Sequence, residues 1–282
     1  MRPEWARACS RKCISIGLAR PVTFSSVNET GVQSEPTDER SAAEDAGRPA
    51  LVDWQKRLND SSGHRAIALG ARVKRMGYVF QGNVAQYKSL VAKLQDPAVS
   101  GPIFDVRNPE AHDGLLSEAE RLLHNVLTAM SMRVDQQRRF MEKYFHDDLA
   151  LMSEYGEKVV SLFKDDPQAS FLKGLRNYIT HMQLPVAQSN QTFGHGEFDI
   201  TFTLPGEPLL EWRGWNGVQR MWIAGQGDAV AIVDTVDTYA RKAGEFDKWL
   251  FDRIALKYRA DIDVYIRECA EFNREHDRVF GG

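Results

Sequence analysis

Apolar residues recur at helical spacing over most of the chain from Leu51 onward. In "LVDWQKRLNDSSGHRAIALGARVKRMGYVFQGNVAQYKSLVAKLQD" an i, i+3/i+4 pattern predicts helices, interrupted near Ser61-Ser62-Gly63 and again near Gly77. "PAVSGPIFDVRNPEAHDG" is rich in Pro and Gly and reads as a connection, with "PIFDV" as a short strand. Ser117-x-x-Glu120 has the form of a capping box. The stripe behind it, from Leu122 through Val126, Met130, Val134 and Phe140 to Phe145, predicts a bundle helix of about 28 residues.

"DDLALMSEYGEKVVSLFKD" is a further amphipathic segment, closed by Asp165-Asp166-Pro167. Asp166 suits an N-cap and Pro167 the first turn of the next helix. That helix, "FLKGLRNYITHMQLPV", carries a buried stripe of Phe171, Leu172, Leu175, Tyr178, Ile179 and Met182, and Pro185 interrupts it. Past Pro185 the period shortens to two. Phe198, Ile200, Phe202 and Leu204 alternate with Asp199, Thr201 and Thr203, which predicts a half-exposed strand paired in a hairpin across Gly194. Helices resume from Leu209, and one long helical stretch runs from Val230 to about Phe280. The expected class is all-α in the main: a helical bundle with a long central helix and a small β-hairpin insertion at about 186–206.

Composition narrows the partners more than the fold. The 43% apolar and 27% charged fractions are those of a globular protein. No run approaches the ~18–20 apolar residues of a transmembrane helix, so no membrane partner is expected. A net charge of −3 leaves no global footprint for nucleic acid, though a local basic site remains compatible with it. Cys9, Cys13 and Cys269 give no disulfide framework and fit a reducing, cytoplasmic setting. Cys9-x3-Cys13 has no second pair of ligands nearby. Residues 1–48 are unlike the rest, Arg-rich at first and then acidic and small, and read as a poorly ordered tail outside the fold. Such a start also imitates a transit peptide, whereas "CISIGLA" is too short and mixed for a secretory signal. Residues 49–282 are expected to form a single helical domain.

The candidate chemistry lies in "LRNYITH". Asn177 and His181 are four apart and share a helix face, with Lys173 one turn before and Arg176 rotated by roughly 100°. An imidazole exchanges a proton near neutral pH. A guanidinium holds a phosphate through paired hydrogen bonds, and a carboxamide can orient either. That set suffices for metal-free RNA cleavage. A base removes the ribose 2′-hydroxyl proton, the oxygen attacks the adjacent phosphate, and the guanidinium neutralises the charge that builds. DNA lacks the hydroxyl and does not react this way. The plain alternative is a solvated helix face.

Arg176-Asn177-x3-His181, on an amphipathic helix that follows a long one, resembles the Arg-x4-6-His signature of the HEPN superfamily, in which the residue after the Arg is typically polar. The resemblance covers about residues 110–280, and only the seven residues of "LRNYITH" are specific. It implies a compact helical bundle, usually dimeric, and a metal-independent endoribonuclease that needs no cofactor. Family members of this kind serve in toxin–antitoxin systems, phage defence and RNA processing, so it further implies an RNA substrate and an antitoxin protein as partner. Arg176 and His181 would be the catalytic pair, supported by Asn177. A catalytically inactive member used for binding or dimerisation is the alternative. The chain departs from the family in its length, in the strand insertion after the motif and in the early end of the helix at "HMQLPV". Five residues along a straight helix also set Arg176 and His181 about 140° apart. A homodimer that brings two motifs across a two-fold axis resolves this.

Other residues have simpler uses. His146, Asp147 and Asp148 imitate a metal pair but read as a helix start. His195, Glu197 and Asp199 share a strand face. Trp212, Trp215 and Trp222 could stack bases, but core packing is their commoner use. Arg138-Arg139 would add a local positive patch. No glycine-rich phosphate loop appears.

Overall fold

Three helices begin where Asp or Asn precedes Pro, a pairing that satisfies a free helix-end N–H and presets the first turn. In the computed structural model, which describes residues 39–182, 185, 187–194 and 197–280, Asp96 accepts from the Ala98 N–H at 2.9 Å and Asp166 from that of Gln168 at 3.1 Å. Asn108-Pro109 starts the third of these helices without a side-chain cap bond. The elements in chain order are α1 (Glu39–Asp60), α2 (Ser62–Leu94), α3 (Pro97–Ile103), α4 (Pro109–Phe145) and α5 (Leu149–Val159). A π-helical turn (Val160–Lys164) and α6 (Pro167–His181) follow. Then come β1 (Gln188–Gly194), β2 (Glu197–Pro205), α7 (Gly206–Glu211), α8 (Gly217–Ala224), β3 (Ala229–Ala231), α9 (Ile232–Lys257) and α10 (Arg259–Phe280). The class is mainly α, with one small antiparallel sheet. No described helix is long and apolar enough to cross a membrane.

The described residues fall into two compact units, 39–71 with 253–280, and 72–252. In the first, Leu51 and Leu58 of α1 pack with Tyr265, Cys269 and Phe272 of α10, and Trp54 meets Phe272 edge to face at 5.7 Å. Gly63 lies so close to α10 that a Cβ would stand 2.3 Å from the Asp261 carbonyl oxygen, which only glycine permits.

The second unit holds the larger core. Leu123 and Leu127 of α4, Phe171 and Leu175 of α6, and Ile200, Phe202 and Leu204 of β2 all belong to it. β1 and β2 form the expected hairpin, with Gln188 opposite Thr203 and Gly194 opposite Glu197. Ile200, Phe202 and Leu204 are fully buried beside exposed Asp199 and half-buried Thr201, as the period-two reading expects. Thr203 is buried as well, its hydroxyl accepting from the Asn190 amide at 2.7 Å. The Gln95 amide bonds both backbone groups of Ile200, at 2.7 and 3.2 Å.

Several boundaries differ from the sequence expectations. α2 runs unbroken through Gly77, because the glycine makes room for a side chain rather than ending the helix. A Cβ there would stand 2.5 Å from Oδ2 of Asp247. "PIFDV" is no strand: Pro102 and Ile103 close α3, and the next residues form the loop before α4. α4 starts at Pro109, so Ser117 lies inside it and caps nothing. Glu120 instead accepts from the Ala187 N–H at 3.1 Å and ties down the segment before β1. β3 is a third strand where a helix was expected, with Thr203 opposite Ala231. The stretch up to Phe280 is two helices, broken at Tyr258. Met182 is 59% exposed, because α6 ends at His181 and the stripe stops with it.

Candidate functional site

α6 is held from behind. Phe171 and Tyr178 stack on Trp215 at 5.7 and 6.0 Å, and Phe171 meets Trp222 at 4.6 Å. The Trp215 indole N–H donates to the Leu209 carbonyl at 2.6 Å. At Gly174 a Cβ would come within 2.6 Å of the Trp215 ring, so the glycine sets how closely α6 sits on the tryptophan. The Gln219 amide donates to the Ser170 carbonyl at 2.8 Å. At the N-terminal end Lys242 of α9 pairs with the capping residue Asp166 at 2.6 Å. Packing therefore fixes the opposite face, which carries Lys173, Arg176 and Asn177.

That face borders a cleft of about 500 Å³ among α4, α5, the π-helical turn, α6 and α9. Arg133, which lines it, belongs to an ion pair. Arg133, 1% exposed, donates from Nε and Nη2 to the Asp247 carboxylate at 3.0 and 2.6 Å, and from Nη2 to the Ala243 carbonyl at 3.0 Å. Gln137 donates to the same carboxylate at 2.5 Å. Burial pushes the Tyr239 phenol above its usual range, against the pull of Arg133. Tyr155 is raised for the same reason, with Arg138 and Arg133 opposing. Both phenols therefore stay protonated at neutral pH.

The rim is cationic. Arg138 stands 4.0 Å from Asp135, a marginal exposed pair. Lys164, Lys173 and Arg176 also border the cleft, and none of the three forms an ion pair among the described residues. Arg176 meets only Asn177, with Nη1 3.4 Å from Oδ1. Three unneutralised cations around one cleft suit an anion.

The structure brings Arg176 and Asn177 to this cleft and leaves His181 outside its lining. His181 is exposed at the last position of α6. A five-residue step turns it about 140° from Arg176 and moves it roughly 7.5 Å along the axis. Within one chain the three residues do not converge on a point.

The remaining candidates take structural roles or lie elsewhere. His146 approaches only its neighbour Asp147 at 3.1 Å, and Asp148 caps α5 by accepting from the Leu151 N–H at 3.0 Å. Trp212, Trp215 and Trp222 pack in or against the core. His195 and the Glu197 side chain lie outside the described residues, as do Cys9 and Cys13. Among the described residues no three His, Cys, Asp or Glu side chains are grouped to hold a metal ion.

The ion pair of Arg133 with Asp247 was missed in the sequence, although a signal was present. Arg133 and Gln137 are i, i+4 within the apolar stripe of α4, between buried Met130 and Phe140. A charge at a core position needs a buried partner. Comparison with family models, with curated proteins and with solved structures finds no match to this chain.

Proposed function

We propose that the protein is an RNA-binding, metal-independent endoribonuclease whose phosphate site is the cationic rim of this cleft. The observation that carries the reading is the convergence of Lys164, Lys173 and Arg176, all without acidic partners among the described residues, beside Asn177. In this reading Arg176 holds the scissile phosphate and Asn177 orients the guanidinium. A base takes the 2′-hydroxyl proton, the 2′-oxygen attacks phosphorus, and the 5′-oxygen leaves with a proton, giving a 2′,3′-cyclic phosphate and a 5′-hydroxyl. His181 is the residue for that proton work. Because it lies off the cleft that holds Arg176, the working site draws His181 from a second copy of the chain across a two-fold axis. Cytoplasmic placement rests on the sparse cysteines, and control by an antitoxin protein and a role in phage defence follow from the HEPN resemblance alone.

A second reading has its own observation. The absence of His181 from the cleft lining also fits a helical module that binds RNA without cutting it. Incubation with RNA in EDTA separates the two. Cleavage lost in both Arg176→Ala and His181→Ala supports the nuclease, whereas binding without cleavage by the wild-type protein supports the module. Absence of both binding and cleavage removes the RNA reading altogether.

A further inference from the structure

We infer that the cleft takes one unpaired nucleotide of an RNA strand, its base against Tyr155 and Phe163 and its phosphate at the rim. The inference rests on the RNA reading of the same site and adds what that strand must look like.

The cleft has two kinds of wall. Beneath the cationic rim lie the half-buried rings of Tyr155 and Phe163. Each packs against a buried ring that also borders the cleft: Tyr155 on Phe246 at 5.6 Å, and Phe163 on Tyr239 at 5.4 Å. Anchored aromatics that still border open space are suited to a flat, apolar ligand face, and every nucleobase has one.

The π-helical turn explains how ring and charge come to the same place. Val159, Phe163 and Lys164 all border the cleft. In an α-helix Val159 and Lys164 would point about 140° apart. The wider π-helical turn, with its i→i+5 hydrogen bonds, brings residues five apart nearer to one face. The turn Val160–Lys164 therefore keeps Lys164 on the wall that Val159 lines, next to the ring of Phe163. Lys173 and Arg176 face them from α6. A base below and a phosphate above match this order, and a volume of about 500 Å³ admits one nucleotide rather than a duplex.

The test is binding in EDTA by the His181→Ala protein, with labelled probes of equal length followed by anisotropy. The probes are a single-stranded RNA, the same RNA as a duplex, and an abasic ribose-phosphate strand, with a free mononucleotide as competitor. Single-stranded RNA is expected to bind about ten-fold tighter than the duplex or the abasic strand. Phe163→Leu, which keeps an apolar side chain, should abolish most of that preference. Should this variant fail to fold, the probe series on the parent protein decides alone. Equal affinity for the abasic strand overturns the base subsite while leaving the phosphate site intact. A mononucleotide that competes as well as the strand shows that the occupant is a free nucleotide and overturns the inference for RNA. No binding by any probe removes the RNA reading itself.

Discussion

Arg133 of α4, which lines the cleft, and Asp247 of α9 form a two-point ion pair, Nε to Oδ2 at 3.0 Å and Nη2 to Oδ1 at 2.6 Å. The Gln137 amide, which donates to the same carboxylate, and the Ala243 carbonyl, which accepts from Arg133, complete this polar junction between the two helices. Removing one member leaves a buried charge without its partner, so Asp247→Ala is expected to cost about 3–5 kcal/mol in urea unfolding. The double variant Arg133→Met, Asp247→Leu should recover most of that loss. Equal destabilisation in the single and double variants would mean that the pair's charge is not what matters.

Gly77 and Asp247 should be coupled. A Cβ at residue 77 would sit 2.5 Å from the carboxylate. Gly77→Ala should therefore destabilise by about 1–3 kcal/mol, although alanine is the better helix former by about 1 kcal/mol. In an Asp247→Ser background the sign should reverse. A double-mutant cycle measures this directly.

Alkaline pH should unfold the second unit through its tyrosines. Burial raises the phenols of Tyr87, Tyr239 and Tyr155. A phenol whose folded value exceeds its unfolded value of about 10 contributes full stability below that pH. The contribution fades as pH rises through the folded value. Phenolate absorbance from these residues should thus appear together with loss of helical dichroism. Ionisation of every tyrosine near pH 10 with the helices intact would count against the burial described here.

Lys164→Ala and Lys173→Ala should each weaken RNA binding and lower the salt dependence of log K by about one unit. Arg139→Ala is the control. It neighbours Arg138 in sequence, is exposed, and does not border the cleft. Equal effects at all three positions would indicate diffuse surface charge instead of a site.

What could be read from the sequence followed from local physics. The Asp166-Pro167 start of α6, the period-two burial of β2 and the long amphipathic α4 each depend on near neighbours, and each is present. Features set by distant packing were not legible. Gly77 looked like a break because nothing local announces Asp247, far along the chain and packed against it. Glu120 looked like a capping residue because its partner, the Ala187 N–H, lies beyond the following helices. β3 is only three residues long and has no alternation to detect. The site divides the same way. Arg176 and Asn177 were visible as a motif, whereas Lys164, Tyr155 and Phe163 join them only through the fold and the π-helical turn.

The most direct measurement of the functional reading is RNA cleavage in EDTA by the wild-type protein, Arg176→Ala and His181→Ala. All three should be shown to be folded, and the products analysed for 2′,3′-cyclic phosphate ends. The account predicts cyclic-phosphate products from the wild type and a loss of at least about 100-fold in each variant. It also predicts partial recovery when the two variants are mixed, because a composite dimer site rebuilds one intact pairing of Arg176 with His181. Equal cleavage by all three proteins, or none by the wild type, contradicts the nuclease assignment.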